Sequence, residues 1–226
     1  MACEARFFGD LSLLTKWGQI QERLREGYPK LLVPTAQLGK PPLLQPFRVS
    51  TTTDDRVVMF GLNLFSLTTN SYKTYDDFRG HFADAFGAFR EIHSLPPVTR
   101  LSLQYSNILP SAEEHDEEWV HPYLKLGVAG LPGRWNSQPQ MFLETRRDGG
   151  FVLRVTVGRA AAPRQNVDDV VLDPGVRLQL ECFSLEETQP DAVLTRMDGA
   201  HDIVESAFFS IITDEYLKYL KGEMEP

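Results

Sequence analysis

Cysteine is scarce in this chain, with only Cys3 and Cys182 among 226 residues. Both fall inside predicted strands, so a disulfide-stapled scaffold is excluded and buried reduced thiols are expected. Long apolar runs are missing too, none nearing the roughly 18 residues that cross a bilayer. The opening Met1-Ala2-Cys3-Glu4-Ala5-Arg6 has no basic leader followed by an apolar segment, so the expected location is cytoplasmic. Basic residues are outnumbered, 23 Lys and Arg against 31 Asp and Glu, giving a net charge of −8. Phosphate-binding proteins gather Lys and Arg on one face, whereas here they are scattered, which disfavours nucleic acid as a partner. Arg146, Arg147, Arg154, Arg159 and Arg164 form the one local basic group that opposes the overall balance.

Chemical signatures are equally sparse. There is no glycine-rich phosphate loop and no βαβ run, which argues against a nucleotide domain. No G-x-S-x-G elbow is present, and both cysteines sit in mid-strand rather than at a helix start beside a base. The dipeptides His115-Asp116 and His201-Asp202 invite a metallohydrolase reading, but His81, His93 and His121 do not complete a ligand set at helical spacing. Carboxylate pairs such as Asp76-Asp77 and Glu186-Glu187 fit helix starts and strand ends, where they cap or solvate. No metal, cofactor or catalytic residue is indicated, and the balance leans away from an enzyme.

What the sequence does contain is a repeated order of elements. In residues 1–95, a strand at Cys3–Phe8 precedes a helix at Thr15–Tyr28, with Trp17, Ile20 and Leu24 on one face. Five prolines mark 29–46 as a loop. Phe47–Thr53, Arg56–Asn63 and Leu64–Asn70 then read as a meander turning at Asp54-Asp55. The helix Tyr75–His93 carries Phe78, Phe82, Phe86 and Phe89 as a stripe suited to lie on a sheet. Leu95-Pro96-Pro97 separates the halves.

The second half, 98–226, opens with Thr99–Ile108, where Leu101, Leu103, Tyr105 and Asn107 alternate with polar neighbours. A short helix is expected near Glu118–Leu126 and a Gly/Pro-rich loop at 127–139. Gln140–Arg147, the turn Asp148-Gly149-Gly150 and Phe151–Arg159 form a predicted hairpin. A polar loop at 160–175, a strand at Val176–Leu185 and a helix at Asp191–Ile212 complete the unit; that helix carries Leu194, Met197, His201, Val204, Phe208 and Ile212 on one side. The expected fold is α+β, with duplicated β-α-β-β-(β)-α units forming one antiparallel sheet with helices on one face. Its architecture is like that of TATA-box-binding-protein folds by analogy of element order, and the two units are expected to pack as a single domain.

Three segments carry a family resemblance. Arg100–Ile108 resembles an "RLxLRYIN-I" strand, Tyr72–Phe78 a "Y-x-x-[WY]-x-x-F" segment, and His201 with Phe208–Glu215 an "H…F…ITDE" ending. In this order they are similar to a sporadically distributed bacterial family of uncharacterised proteins. Gln104 and Ser106 stand where that family's strand carries Arg and Ile, so a role resting on that arginine does not transfer. The patchy distribution implies an accessory gene, such as those of phage defence, and implies no activity.

Two surfaces are candidates. Trp119 and Trp135 flank the short helix and its loop, and tryptophans are enriched at interfaces; the acidic run holding Glu113, Glu114, Asp116 and Glu117 suits a basic partner. The expected role is therefore a non-catalytic component that binds another protein through loops or the open sheet face, with homo-oligomerisation compatible. The alternatives are a small-ligand or nucleotide sensor using Tyr105, Asn107 and Arg154, and an enzyme of unrecognised type.

Overall fold

The computed structural model describes residues 1–32, 46–110, 119–120, 124–125, 127–128, 140–165 and 170–223. In chain order the strands are β1 (Ala2–Phe7), β2 (Lys30–Leu32), β3 (Phe47–Ser50), β4 (Arg56–Gly61), β5 (Leu64–Thr69), β6 (Val98–Pro110), β7 (Trp119–Val120), β8 (Gly127–Val128), β9 (Gln140–Arg147), β10 (Phe151–Gln165) and β11 (Val170–Ser184). The helices are α1 (Trp17–Leu24), α2 (Tyr75–Ile92), α3 (Val193–Ile211) and α4 (Asp214–Leu220). Nine strands form one antiparallel sheet in the order β2-β3-β4-β5-β1-β6-β11-β10-β9, and β7 and β8 form a separate pair. The fold is α+β, as the element order implied.

The order has a mirror in it. The first strands of the two sequence halves, β1 and β6, lie side by side, and each half extends outward from them. Compact units divide the chain differently. Unit 1 comprises Met1–Gln104, Asp148–Phe151 and Cys182–His201; unit 2 comprises Tyr105–Arg147, Val152–Glu181 and Asp202–Pro226.

In unit 1, register explains the core. Val49, Val58, Leu67, Cys3 and Leu103 line up across five strands, and Phe60, Phe65, Ala5 and Leu101 form the next row. All nine side chains are buried. The phenylalanine stripe of α2 covers them, as its spacing predicted. Phe65 meets Phe82, Phe86 and Phe89 with ring centroids 5.7, 5.3 and 5.2 Å apart. Offset and edge-on aromatic contacts of this kind add to the hydrophobic gain of burial. Thr74 caps α2 by accepting from the Asp77 amide, and Asp76 and Asp77 sit in the first turn, favourable against the helix dipole. The Asp54-Asp55 turn is tied by side chains: Asp54 accepts from Lys30 and Ser50, and Asp55 from Thr51, Thr53 and Ser71.

In unit 2, Leu153, Val155 and Val157 of β10 and Leu178 and Leu180 of β11 are buried on alternate positions. The strands run further than expected. The predicted loop at 160–175 is largely replaced, because β10 continues to Gln165 and β11 begins at Val170. Pro163 and Pro174 suggested a loop, yet each removes one ladder donor without ending the strand. The short helix expected over Glu118–Leu126 is also corrected. Trp119 and Val120 instead pair with Val128 and Gly127 as β7 and β8, consistent with β-forming residues around a helix-breaking Pro122. The segment α4, capped by Thr213, was not anticipated.

Along α3 the buried stripe is Val193, Met197, Ala200, Val204, Ala207 and Ile211. Of the expected face, Met197, Val204 and Ile212 are buried, whereas Leu194, His201 and Phe208 are half-buried. Ala200 and Ala207 take two of the inward positions, a choice that hydrophobicity alone ranks below Leu and Phe. Among the described residues no helix is long and apolar enough to cross a membrane.

Candidate functional site

The first two turns of α3, within unit 1, carry several polar side chains beside a cavity. The Asp148-Gly149-Gly150 turn leads into β10 with Gly149 and Gly150 at φ of 71° and 73°, a region open to glycine at little cost. A Cβ on Gly150 would collide with the Glu186 carboxylate, so the turn approaches the end of β11 closely. Phe151 follows, and Gly199 of α3 makes room for its ring, since a Cβ there would stand 3.3 Å from Cζ.

Arg196 sits over that ring, its guanidinium carbon 4.0 Å from the centroid, a cation–π contact. Its Nη2 donates to Ser184 Oγ at 2.7 Å and to Glu186 Oε2 at 3.0 Å. The chain between β11 and α3 is pinned by reciprocal backbone bonds between Thr188 and Val98, both 2.8 Å. Together these elements line an open, shallow cavity of about 330 Å³, bounded by Phe151, Ala192 and Gly199 and by Glu186, Glu187, Thr188, Gln189, Thr195 and Arg196.

Elsewhere around the same helix stands a second cluster. Asp198 accepts from Arg79 Nε at 2.7 Å and Nη2 at 3.0 Å, a forked pair, and from the Tyr75 hydroxyl at 2.7 Å. Tyr75 and Arg79 are four residues apart on α2 and so share a face. The Tyr75 ring also stacks on His201, with centroids 3.7 Å apart and planes 8° from parallel. Hydrogen bonds from Arg79 and Tyr75 hold the Asp198 carboxyl below the usual carboxylate range despite partial burial. Burial and donation to Asp198 push the Tyr75 phenol up, so it keeps its proton. A phenol locked as a donor to a paired carboxylate is a clamp between helices rather than an acid–base couple.

A third grouping, Asp10, His93 and Lys16, ties the start of the chain to the end of α2. His93 Nδ1 lies 3.3 Å from Lys16 Nζ and Nε2 lies 3.4 Å from Asp10 Oδ2. Burial first, then the Lys16 charge, lowers the His93 pKa and keeps the ring neutral.

The residues expected from sequence are distributed as follows. Trp119 is in β7, paired through its backbone with Val128. Trp135, Glu113, Glu114, Asp116 and Glu117 lie outside the described residues, as does His115. By strand alternation Tyr105 and Asn107 share the side of β6 that presents Leu101 and Leu103. Arg154 is on the side of β10 opposite Leu153 and Val155. It is held there by Glu144 at 2.9 Å and Glu181 at 3.1 Å, over the Phe142 ring at 5.1 Å. Alternation thus sets Tyr105 and Asn107 on their strand's core-facing side and Arg154 on its strand's other side. Among the described residues no group of three or more His, Cys, Asp or Glu could hold a metal ion. Sequence reading overlooked Arg79, Arg196 and Asp198. The available signal was the i, i+4 pair Tyr75 and Arg79 at the start of α2. Compared with protein-family models, with curated proteins and with solved structures, the chain matches none.

Proposed function

We propose that the protein is a non-catalytic interaction component that receives an extended segment of a partner protein along the outer edge of β9. The observation that carries this reading is the character of that edge. Among the described residues β9 ends the nine-strand order, with β10 as its neighbour. Its eight residues, Gln140-Met-Phe-Leu-Glu-Thr-Arg-Arg147, are long enough to template another strand, and from Phe142 to Arg147 they are exposed. Phe142 and Leu143, on opposite faces, are 56% and 46% accessible. Folded proteins normally blunt a long edge carrying apolar side chains, because its open N–H and C=O groups invite pairing. Strand addition uses such an edge, with the backbone supplying affinity and alternate side chains the specificity. The family resemblance supports an accessory setting in bacteria, with phage defence as one such context.

Mild affinity purification from the native host, with mass spectrometry of both proteins and small molecules, tests this. A protein recovered in stoichiometric amount with the natural chain and lost with Leu143→Pro supports strand addition, since a proline on an edge strand blocks pairing. A bound metabolite with no protein overturns the reading in favour of a small-ligand sensor.

A further inference from the structure

We infer that the cavity at the start of α3 binds a cationic side chain on an aliphatic stem, a lysine or arginine of the partner. This rests on the interaction reading and specifies the chemistry of the partner.

The cavity's walls divide into two parts. Phe151, Ala192 and Gly199 supply an apolar interior, and the remaining lining residues supply polar atoms. At about 330 Å³ it sits at the small end of ligand pockets, suited to one side chain rather than a cofactor. The charges then select the occupant. Arg196 is engaged, stacked on Phe151 and bonded to Ser184 and Glu186, so its charge is shared with Glu186. Glu187 lines the same cavity and has no ion-pair or hydrogen-bond partner among the described residues. One carboxylate is therefore left over, in a chain whose net charge is already −8. An anion entering the cavity would meet that carboxylate and an arginine whose Nη2 is already paired with Glu186 and whose buried Nε has no hydrogen-bond partner among the described residues. A cation would meet an unpaired carboxylate, the Thr195 hydroxyl and the Gln189 amide, while its methylene stem lay against Phe151 and Ala192. Lysine and arginine side chains have this division between an apolar stem and a charged tip.

The test uses the full ¹⁵N-labelled chain and defined probes. Nα-acetyl-lysine methylamide is titrated against its Nα,Nε-diacetyl counterpart, which keeps the stem and loses the charge. Putrescine serves as a free diamine. The expected result is a saturable shift of the Thr188, Thr195 and Gly199 amides with the charged probe only. Glu187→Gln is expected to weaken it about fivefold, the worth of one exposed ion pair. Ala192→Leu, which fills the cavity from an exposed position, is expected to abolish it while leaving the remaining spectrum in place. The inference is overturned by equal binding of the charged and diacetylated probes, by an unchanged affinity in Glu187→Gln, or by no shift at those amides. Putrescine binding more tightly than the lysine probe overturns the assignment to a protein side chain and points to a free diamine. No partner protein enters this titration, so failure of the β9 reading leaves its outcome intact, and the reverse also holds.

Discussion

Removing Asp198 isolates the link between α2 and α3. In Asp198→Ala the forked pair to Arg79 is lost along with the acceptor of the Tyr75 hydroxyl. The side chains of Arg79 and Asp198 are 36% and 39% exposed, so solvent screens their attraction. Exposed pairs contribute up to about 1 kcal/mol, and the forked geometry puts this one at the upper end. The half-buried Tyr75 bond to a charged acceptor adds about 1 kcal/mol, below the range for fully buried charged bonds. Asp198→Ala should therefore cost about 2 kcal/mol, a fall of about 4–8 °C in Tm for a chain of this length. Urea unfolding at pH 7 reads the loss directly. Asp198→Asn keeps an oxygen for Tyr75 and should recover about half of it, while a double-mutant cycle with Arg79→Met should return a coupling of about 1 kcal/mol. The sign with pH follows from the depressed Asp198 pKa. Its stabilisation is complete above the ordinary carboxylate value near ~4 and disappears as pH falls through the lower folded value, so the natural chain and Asp198→Asn should converge in acid. A coupling of zero, or an Asp198→Ala chain as stable as its parent, refutes the clamp.

Two further predictions concern the same unit. Phe65→Ala empties the centre of the aromatic cluster and should cost about 3–5 kcal/mol by urea unfolding, with far-UV circular dichroism confirming the folded baseline. His93 is kept neutral when folded, so the unfolded chain binds the extra proton as pH drops below the ordinary histidine value near ~6.5. Stability should fall through that window and down to the lower folded pKa. His93→Phe should flatten the dependence, and an NMR titration showing His93 at or above its ordinary value would contradict it.

Much of the architecture was legible in the residues, for identifiable reasons. The α2 stripe, the Asp54-Asp55 and Asp148–Gly150 turns and the clean alternation of β6 are local signals, each decided by neighbours within a few positions. The length of β10 and β11 was not, because strand pairing overrode the loop character of 160–175 as far as Gln165 and from Val170 on. The Glu118–Leu126 segment failed for a related reason: an acidic approach resembled a helix start, while Trp119 and Val120 favour extended structure. The cavity and the Asp198 clamp were out of reach. Each joins residues from distant segments, such as Phe151 with Gly199, or Tyr75 with Asp198, and no spacing along the chain announces them.

The central position of β1 bears on how the chain is made. Cys3 has Leu67 of β5 on one side and Leu103 of β6 on the other. A ribosome delivers this apolar strand at the outset; β5 (Leu64–Thr69) must be made before one flank of β1 can close, and β6 (Val98–Pro110) before the other. During that interval both edges of β1 are available to any passing strand, the circumstance in which nascent chains depend on holding chaperones. A cut at Leu95–Pro97 would divide the chain at the β1–β6 seam, leaving two fragments with complementary open edges. Co-expressed, they should reassemble without the covalent link. Expressed alone, the amino-terminal fragment should turn its open β1 edge toward another copy of itself.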